Sequence, residues 1–156
     1  AYAVATVGAF GVITLVRSSD SEGNIGGEVT DLRRWAGLGK TNPGLASAIL
    51  IFLLSFAGIP FTGGFIAKFV VFSDAFAGGY VWLVALALAC SAVTAFFYFR
   101  LVRVMFFMQP REDVAVVRSE GFAGVAITVC AVGTIALGLF PSPVLSLLNQ
   151  VVVLLP

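Results

Sequence analysis

The sequence predicts an all-α membrane protein, a polytopic helical bundle of about four transmembrane helices, one of them broken at Pro60. Hydrophobic residues make up 60% of the 156 residues and charged residues 11%, whereas soluble domains average about 45–50% apolar and about 25% charged. The mean hydropathy is +1.06. The apolar residues are gathered in long runs, and about 20 of them suffice for a helix to cross a bilayer.

Apolar runs and polar connections alternate along the chain. The predicted segments are a truncated transmembrane helix (1–17), a connection (18–42), a broken transmembrane helix (43–76), a transmembrane helix (80–108), a second connection (109–121), a transmembrane helix (122–141) and an apolar tail (142–156). The chain does not begin with methionine, and its first run is short for a span. We therefore expect residue 1 to lie within a longer protein.

Basic residues are distributed asymmetrically between the two sides of the predicted bundle. Eight of the nine lie in or beside the two connections: Arg17, Arg33, Arg34, Lys40, Arg100, Arg103, Arg111 and Arg118. The positive-inside rule then places the connections 18–42 and 109–121 in the cytoplasm and the C-terminus outside. Within the first connection, the sequence predicts either a short surface helix with Trp35 at headgroup depth or a solvated loop with one apolar anchor.

Several classes of function are disfavoured. A basic run that would bind nucleic acid is missing from the sequence, so no nucleic-acid partner is predicted. Cys90 and Cys130 lie within apolar runs, where cysteine behaves as a small hydrophobic residue, and the chain contains no histidine. A phosphate-binding glycine loop, a nucleophile elbow and paired carboxylates are missing as well. We expect no metal site, no cofactor and no redox centre in this chain.

The run 43–76 is too long for one straight span. It would extend about 50 Å as a helix, against about 30 Å of hydrocarbon core. Pro60 removes a backbone donor and clashes with the preceding turn, so we expect half-helices at about 44–58 and 64–76. Thr62 is a candidate to cap the second half or to hold a water. The residues predicted to form the break are Gly58, Pro60, Thr62, Gly63 and Gly64.

The ninth basic residue, Lys68, lies inside the broken run 43–76, and no acidic residue lies within five positions of it. A cation at mid-bilayer costs about 2.5 to more than 10 kcal/mol, and a desolvated lysine gives up its proton more readily than an exposed one. Three roles remain open: proton exchange, snorkelling toward Asp74, and packing against a carboxylate outside this sequence. The neighbouring break favours proton exchange, because broken helices mark ion and substrate sites in transporters.

A second candidate surface lies on the third long run. Ser91, Thr94 and Tyr98 are spaced by three and four residues, so they share one face of a helix. This face is a possible lining for a hydrated path beside Lys68. Hydrogen bonding between helices is the more usual role of such residues.

Three segments carry a family resemblance: YAVATVGAFGVI at 2–13, DLRRWAGLGKTNP at 31–43 and LLSFAGIPFTGGFIAKF at 53–69. Together they resemble the antiporter-like membrane subunits of bacterial proton-pumping NADH–quinone oxidoreductase (respiratory complex I). AGLGKTNP favours the N type of these subunits over the L and M types. The resemblance covers the whole chain but only about the C-terminal third of such a subunit.

The resemblance implies a fold of two inverted repeats, each with a broken helix, of which this chain would supply the final helices. By motif match, Lys68 is the outermost lysine of a chain of charged residues along the membrane midplane. Its other members, a glutamate and lysines on earlier helices, are not in this sequence. NADH, FMN, iron–sulfur clusters and quinone would be bound by partner subunits.

The function expected on this basis is that of a proton-translocating subunit of the oxidoreductase. In that role, Lys68 relays protons between the membrane midplane and the outer side of a bacterial plasma (inner) membrane. Other membrane and peripheral subunits and the lipid bilayer would be its partners. Two alternatives are a subunit of a multi-subunit cation/proton antiporter and a non-catalytic membrane scaffold in which Lys68 snorkels.

Overall fold

The computed structural model describes residues 2–19, 25–28, 31–110, 114–116, 122–143 and 146. The α-helices are α1 (Tyr2–Leu15), α2 (Leu38–Thr41), α3 (Pro43–Ala57), α4 (Gly63–Ala77), α5 (Val81–Phe107) and α6 (Phe122–Leu139), and Leu32–Trp35 forms a 3₁₀ turn. Within these ranges, α5 and α6 are long and apolar enough to cross a membrane alone, whereas α1 and α3 are apolar but shorter. The predicted helical membrane bundle, with one helix broken at Pro60, is confirmed. Most of the predicted tail 142–156 lies outside the described residues.

The core of the bundle forms where α1, α3 and α6 meet. Small residues on α1 allow close approach: the ring of Phe52 on α3 packs where a Cβ of Gly8 would otherwise lie. Burial follows the helical period on each helix. The fully or nearly fully buried side chains are Ala5, Ala9 and Val12 on α1, Ala46, Ile49, Phe52 and Leu53 on α3, and Ile127, Ala131 and Thr134 on α6.

α4 and the first part of α5 lie at the periphery of this core. The most apolar 18-residue window of α5 has no buried residue, and large side chains such as Trp82, Phe96 and Phe69 are more than half exposed. In a bilayer, exposed apolar side chains are compatible with lipid or with neighbouring helices. The peripheral position matters for the site, because it leaves the space between α4 and α5 accessible.

The two polar connections meet in a small sheet that the sequence did not predict. Its strands are β1 (Val16–Ser19), β2 (Ile25–Glu28) and β3 (Val114–Val116), in the order β2-β1-β3, and both pairings are antiparallel. β1 follows α1, and β3 lies in the connection between α5 and α6. Because paired strands are only about 5 Å apart, both connections lie at the same end of the bundle.

The segment around Trp35 forms a short helix, as one of the two predictions proposed, but the environment of Trp35 differs from both. Trp35 is 5% exposed and belongs to the same buried cluster as Leu38, so it is neither a headgroup anchor nor part of a solvated loop. Asp31 begins the 3₁₀ turn by accepting a hydrogen bond from the backbone of Arg33. The backbone N–H of Gly37 then donates to the carbonyl of Val104 over 3.2 Å. The first connection therefore packs onto the end of α5.

Candidate functional site at the helix break

α3 ends in a compact backbone turn. Gly58 adopts a left-handed conformation, with φ +80°, which glycine enters without the steric cost of a side chain. Its N–H donates to the carbonyls of Leu54 and Ser55 over 3.0 and 3.1 Å, and Ile59 donates to Leu54 over 3.0 Å. Two of the four terminal carbonyls are thereby capped by the backbone. The carbonyls of the next two residues, Phe56 and Ala57, are not used in this turn.

The segment between the half-helices is held by one buried hydroxyl. Thr62 is 6% exposed, and its hydroxyl donates to the carbonyl of Ile59 over 2.7 Å. Thr62 occupies the N-cap position of α4, but its side chain makes no capping bond. Thr62 thus stands at the cap position that the sequence suggested, and its backbone carbonyl accepts from the N–H of Phe65 over 3.1 Å, while its hydroxyl bonds the loop. Pro60 lies in the exposed part of this turn.

α4 starts beside the last turn of α3 rather than continuing it. Gly63 and Gly64 are both buried, and a Cβ at Gly64 would overlap the carbonyl oxygen of Ser55. The N–H of Gly64 donates to the hydroxyl of Ser55 over 3.1 Å. The first turn of α4 thus depends on a glycine for its approach and on Ser55 for a hydrogen bond. This arrangement sets the first turns of α4 alongside the carbonyl end of α3.

The ammonium of Lys68 reaches across the break to α3. Its Nζ donates to the carbonyls of Phe56 and Ala57 over 2.9 and 3.1 Å and to the hydroxyl of Ser91 on α5 over 2.7 Å. The two carbonyls are the pair left over by the turn at Gly58. Lys68 itself is half-buried.

This placement has a clear electrostatic basis. The carbonyl end of a helix carries the equivalent of about −0.5 elementary charge, which favours a cation there. Within the described part of the chain, the three acceptors of the Lys68 ammonium are uncharged, so hydrogen bonds and the helix dipole compensate for its desolvation. The ammonium lies at the break, and not at the end of α4 where Asp74 is located.

The predicted hydroxyl face separates into three different environments. Ser91 contacts Lys68 directly. Thr94 is exposed, and its hydroxyl donates to the carbonyls of Cys90 and Ser91 within α5. Tyr98 packs its ring 6.0 Å from the ring of Phe56, whose carbonyl binds Lys68. Of the three, the structure brings only Ser91 to the lysine.

A cavity of about 610 Å³ lies between α4 and α5 beside the lysine. Its walls are mostly apolar, including Phe65, Phe72 and Leu88, and its polar lining includes Lys68 and Ser91. A water molecule occupies about 30 Å³ in the liquid, so the cavity has room for several. The lysine and the serine are the groups that would hold water at this end of the cavity.

Some residues of the site were missed by the sequence reasoning. Phe56 and Ala57 act through their carbonyls, which any residue type provides, so their side chains give no signal. Gly138 on α6 packs against the break, where its Cβ would overlap the backbone of Phe61 and Thr62. Phe61 itself has φ +71°, a strained conformation for an aromatic residue. The neighbouring residues Pro60 and Thr62 predicted a turn at this point, but they did not predict the positive φ of Phe61.

Comparison with known proteins gives a family and two sets of relatives. Residues 1–94 match the family model described as "NADH:quinone oxidoreductase/Mrp antiporter, TM". The chain is 48% identical to NADH-quinone oxidoreductase subunit N of Mycobacteroides abscessus, covering 96% of this chain and 29% of that protein. It is also 48% identical to subunit N of Thermobifida fusca, covering 93% of this chain and 26% of that protein. The chain spans less than a third of the length of these relatives.

Two solved structures resemble the fold. A chain of respiratory complex I from Thermus thermophilus with bound aureothin superposes with a TM-score of 0.77 at 31% identity, covering 92% of this chain and 31% of that chain. A chain of an Mrp complex from Dietzia sp. gives a TM-score of 0.67 at 22% identity, covering 88% of this chain and 32% of that chain, which shows similarity of fold alone. The family model covers more than half of the chain, and the relatives are close in sequence. This chain therefore belongs to the NADH:quinone oxidoreductase/Mrp antiporter transmembrane family.

Proposed function

We propose that this chain is part of a proton-translocating membrane subunit of a bacterial NADH–quinone oxidoreductase, a translocase. Lys68 exchanges protons between the membrane midplane and the outer side. The observation that carries the proposal is the ammonium of Lys68 held by the carbonyls of Phe56 and Ala57 at the helix break. The similarity to subunit N of two bacteria supports the same conclusion.

The geometry of the break suits a lysine that changes its protonation state. The dipole at the end of α3 stabilises the ammonium without a fixed negative charge. A carboxylate in salt-bridge contact would hold the proton far more strongly, because paired ions attract strongly in a low-dielectric interior. The described acceptors of Lys68 are neutral and hold the ammonium without this additional attraction. Such a group can be loaded and unloaded during turnover.

The remainder of the reaction belongs to other chains. NADH, FMN, iron–sulfur clusters and quinone are expected in partner subunits, as are the other ionisable groups of the membrane relay. The chain would lie in the bacterial plasma (inner) membrane with lipid and other membrane subunits around it. Connections 18–42 and 109–121 would face the cytoplasm, and the C-terminus the outside.

A multi-subunit cation/proton antiporter is the second candidate, favoured by the similarity of fold to a chain of the Mrp complex. It would use the same lysine but would lack redox partners. Isolation of the chain in a particle that oxidises NADH and reduces quinone excludes it. The scaffold alternative requires Lys68 to snorkel, which its bonds to the end of α3 disfavour.

Replacement of Lys68 in the complete complex tests the proposal. We expect Lys68→Met to lower proton pumping and coupled quinone reduction by about tenfold or more, the order of effect seen when a proton-transfer group is removed. Pumping is measured in membrane vesicles with a pH-sensitive dye, and quinone reduction from NADH oxidation. Both rates are normalised to the amount of assembled complex.

Lys40→Met is the matched control. Lys40 is exposed in the first connection at the end of α2, so the same loss of charge there should leave both rates unchanged. Normal pumping by fully assembled Lys68→Met complex would overturn the proposed role of Lys68. An equal loss in both variants would point to a general effect of net charge instead.

A further inference from the structure

The three N–H donors of the Lys68 ammonium meet three acceptors that differ in chemical kind. Two are the backbone carbonyls of Phe56 and Ala57, and the third is the hydroxyl of Ser91. A lysine ammonium has three donors and no acceptor. Each donor is therefore matched, and the charged form of Lys68 is fully hydrogen-bonded.

The neutral amine makes different demands on the same neighbours. It keeps two N–H donors and gains a lone pair, so one neighbour must change from acceptor to donor. A carbonyl has no hydrogen to donate, whereas a serine hydroxyl can both donate and accept. Phe56 and Ala57 can therefore bond the two remaining N–H groups, and Ser91 alone among the three can donate to the lone pair.

We infer that the Ser91 hydroxyl is the group through which Lys68 exchanges its proton. This inference rests on the proposed function of Lys68. In the outward step, the ammonium of Lys68 gives the proton that it shares with Ser91 to the serine hydroxyl: its covalent Nζ–H bond breaks and a new Oγ–H bond forms. The original hydroxyl proton of Ser91 passes at the same time to a water. The serine is unchanged in composition, the lysine is left neutral, and one proton is transferred to water. The reverse sequence reloads the lysine.

The position of Ser91 suits this role. It is half-buried on α5 and lines the cavity of about 610 Å³ between α4 and α5, so its hydroxyl adjoins both the lysine and a space large enough for water. Ala57 on α3 also lines this cavity, but its carbonyl, like that of Phe56, has no hydrogen to pass on. Its Oγ is also the acceptor closest to Nζ, at 2.7 Å against 2.9 and 3.1 Å.

The test uses the complete complex with Ser91→Ala and Ser91→Thr. We expect Ser91→Ala to lower proton pumping per assembled complex about tenfold, equivalent to about 1.4 kcal/mol of barrier. Ser91→Thr keeps the hydroxyl and should restore at least half of the rate. Thr128→Ala is the control, because Thr128 is an exposed hydroxyl on α6 that bonds its own helix.

A pH profile separates proton exchange from a structural role. Without Ser91, the lysine must release its proton directly to water, so the deficit of Ser91→Ala should shrink as the pH on the releasing side rises. A constant deficit at all pH values, or no rescue by Ser91→Thr, would show that Ser91 only holds the lysine in place and would overturn the inference. Normal pumping by Ser91→Ala would overturn it too.

Lys68→Met in the same preparations distinguishes this failure from failure of the proposed function. If Lys68→Met abolishes pumping while Ser91→Ala pumps normally, the lysine is essential and the serine is not its exchange partner. If both variants pump normally, the proposed function itself fails.

Discussion

Lys68 is stabilised by two backbone carbonyls that the turn at the helix break leaves without a partner in α3. The turn at Gly58 uses the carbonyls of Leu54 and Ser55, and the next two carbonyls bind the ammonium. The break and the lysine are therefore parts of one site, since an unbroken helix would use these carbonyls internally. Gly64 completes the arrangement, because it allows α4 to begin against Ser55.

Gly64→Ala is expected to damage the site without touching Lys68. Its added methyl group would overlap the carbonyl oxygen of Ser55, and relief of that contact must shift α4 against α3. Overpacking of this kind costs about 1–3 kcal/mol. We expect less assembled complex, a lower unfolding temperature in detergent and a reduced pumping rate.

Gly44→Ala is the control for this substitution. A Cβ at Gly44, in the first turn of α3, would meet nothing within 4 Å. It should leave assembly and pumping unchanged. Equal behaviour of the two variants would show that close packing of α4 on α3 is not required.

At the scale of the elements, α6 supports the break by packing against it. Gly138 packs against the backbone of Phe61 and Thr62, which form the irregular segment between α3 and α4. Irregular backbone at membrane depth persists only when protein or water satisfies and encloses it. The helix α6 is thus part of the site, although the described acceptors of the Lys68 ammonium lie on α3 and α5.

Gly138→Ala should displace α6 from the break. The new methyl group would overlap backbone atoms of Phe61 and Thr62, with a cost of about 1–3 kcal/mol. Gly133→Ala on the same helix is the control, because its Cβ would make an ordinary contact at 3.5 Å with Val4. Thermal unfolding and pumping are measured for both, and the idea fails if Gly138→Ala matches the parent complex in both.

At the scale of the whole molecule, pairing of β1 with β3 joins the two polar connections at one end of the bundle. The distribution of basic residues in the sequence likewise predicts that the two connections lie on the same side of the membrane. Gly37 adds a backbone bond to Val104 near the end of α5. The turn between α4 and α5 contains Gly78 and Gly79 and lies at the start of α5. Because the other end of α5 contacts the first connection, this turn lies at the opposite end of the bundle.

Cysteine labelling tests the orientation of this arrangement. In a complex with Cys90 and Cys130 replaced by alanine, we expect Lys40→Cys and Gln109→Cys to react with an impermeant maleimide only from the cytoplasmic side. Ala77→Cys should react only from the outside. All three positions are exposed in the chain. Labelling of Lys40→Cys and Gln109→Cys from opposite sides would contradict the shared end, and labelling of both from outside would reverse the proposed orientation.

The sequence alone determined that the chain is a helical membrane bundle, where its apolar helices lie, that one helix breaks at Pro60 and that Lys68 stands beside the break. These properties follow from composition, run length and local backbone chemistry, which act over a few residues. Only the tertiary structure decided which atoms receive the ammonium, that Ser91 and not Thr94 reaches it, that Trp35 is buried and that the connections form a sheet. Each of these properties depends on contacts between segments that are separated in sequence. Backbone carbonyls and strand pairings involve no particular residue type, so the sequence pattern does not predict them.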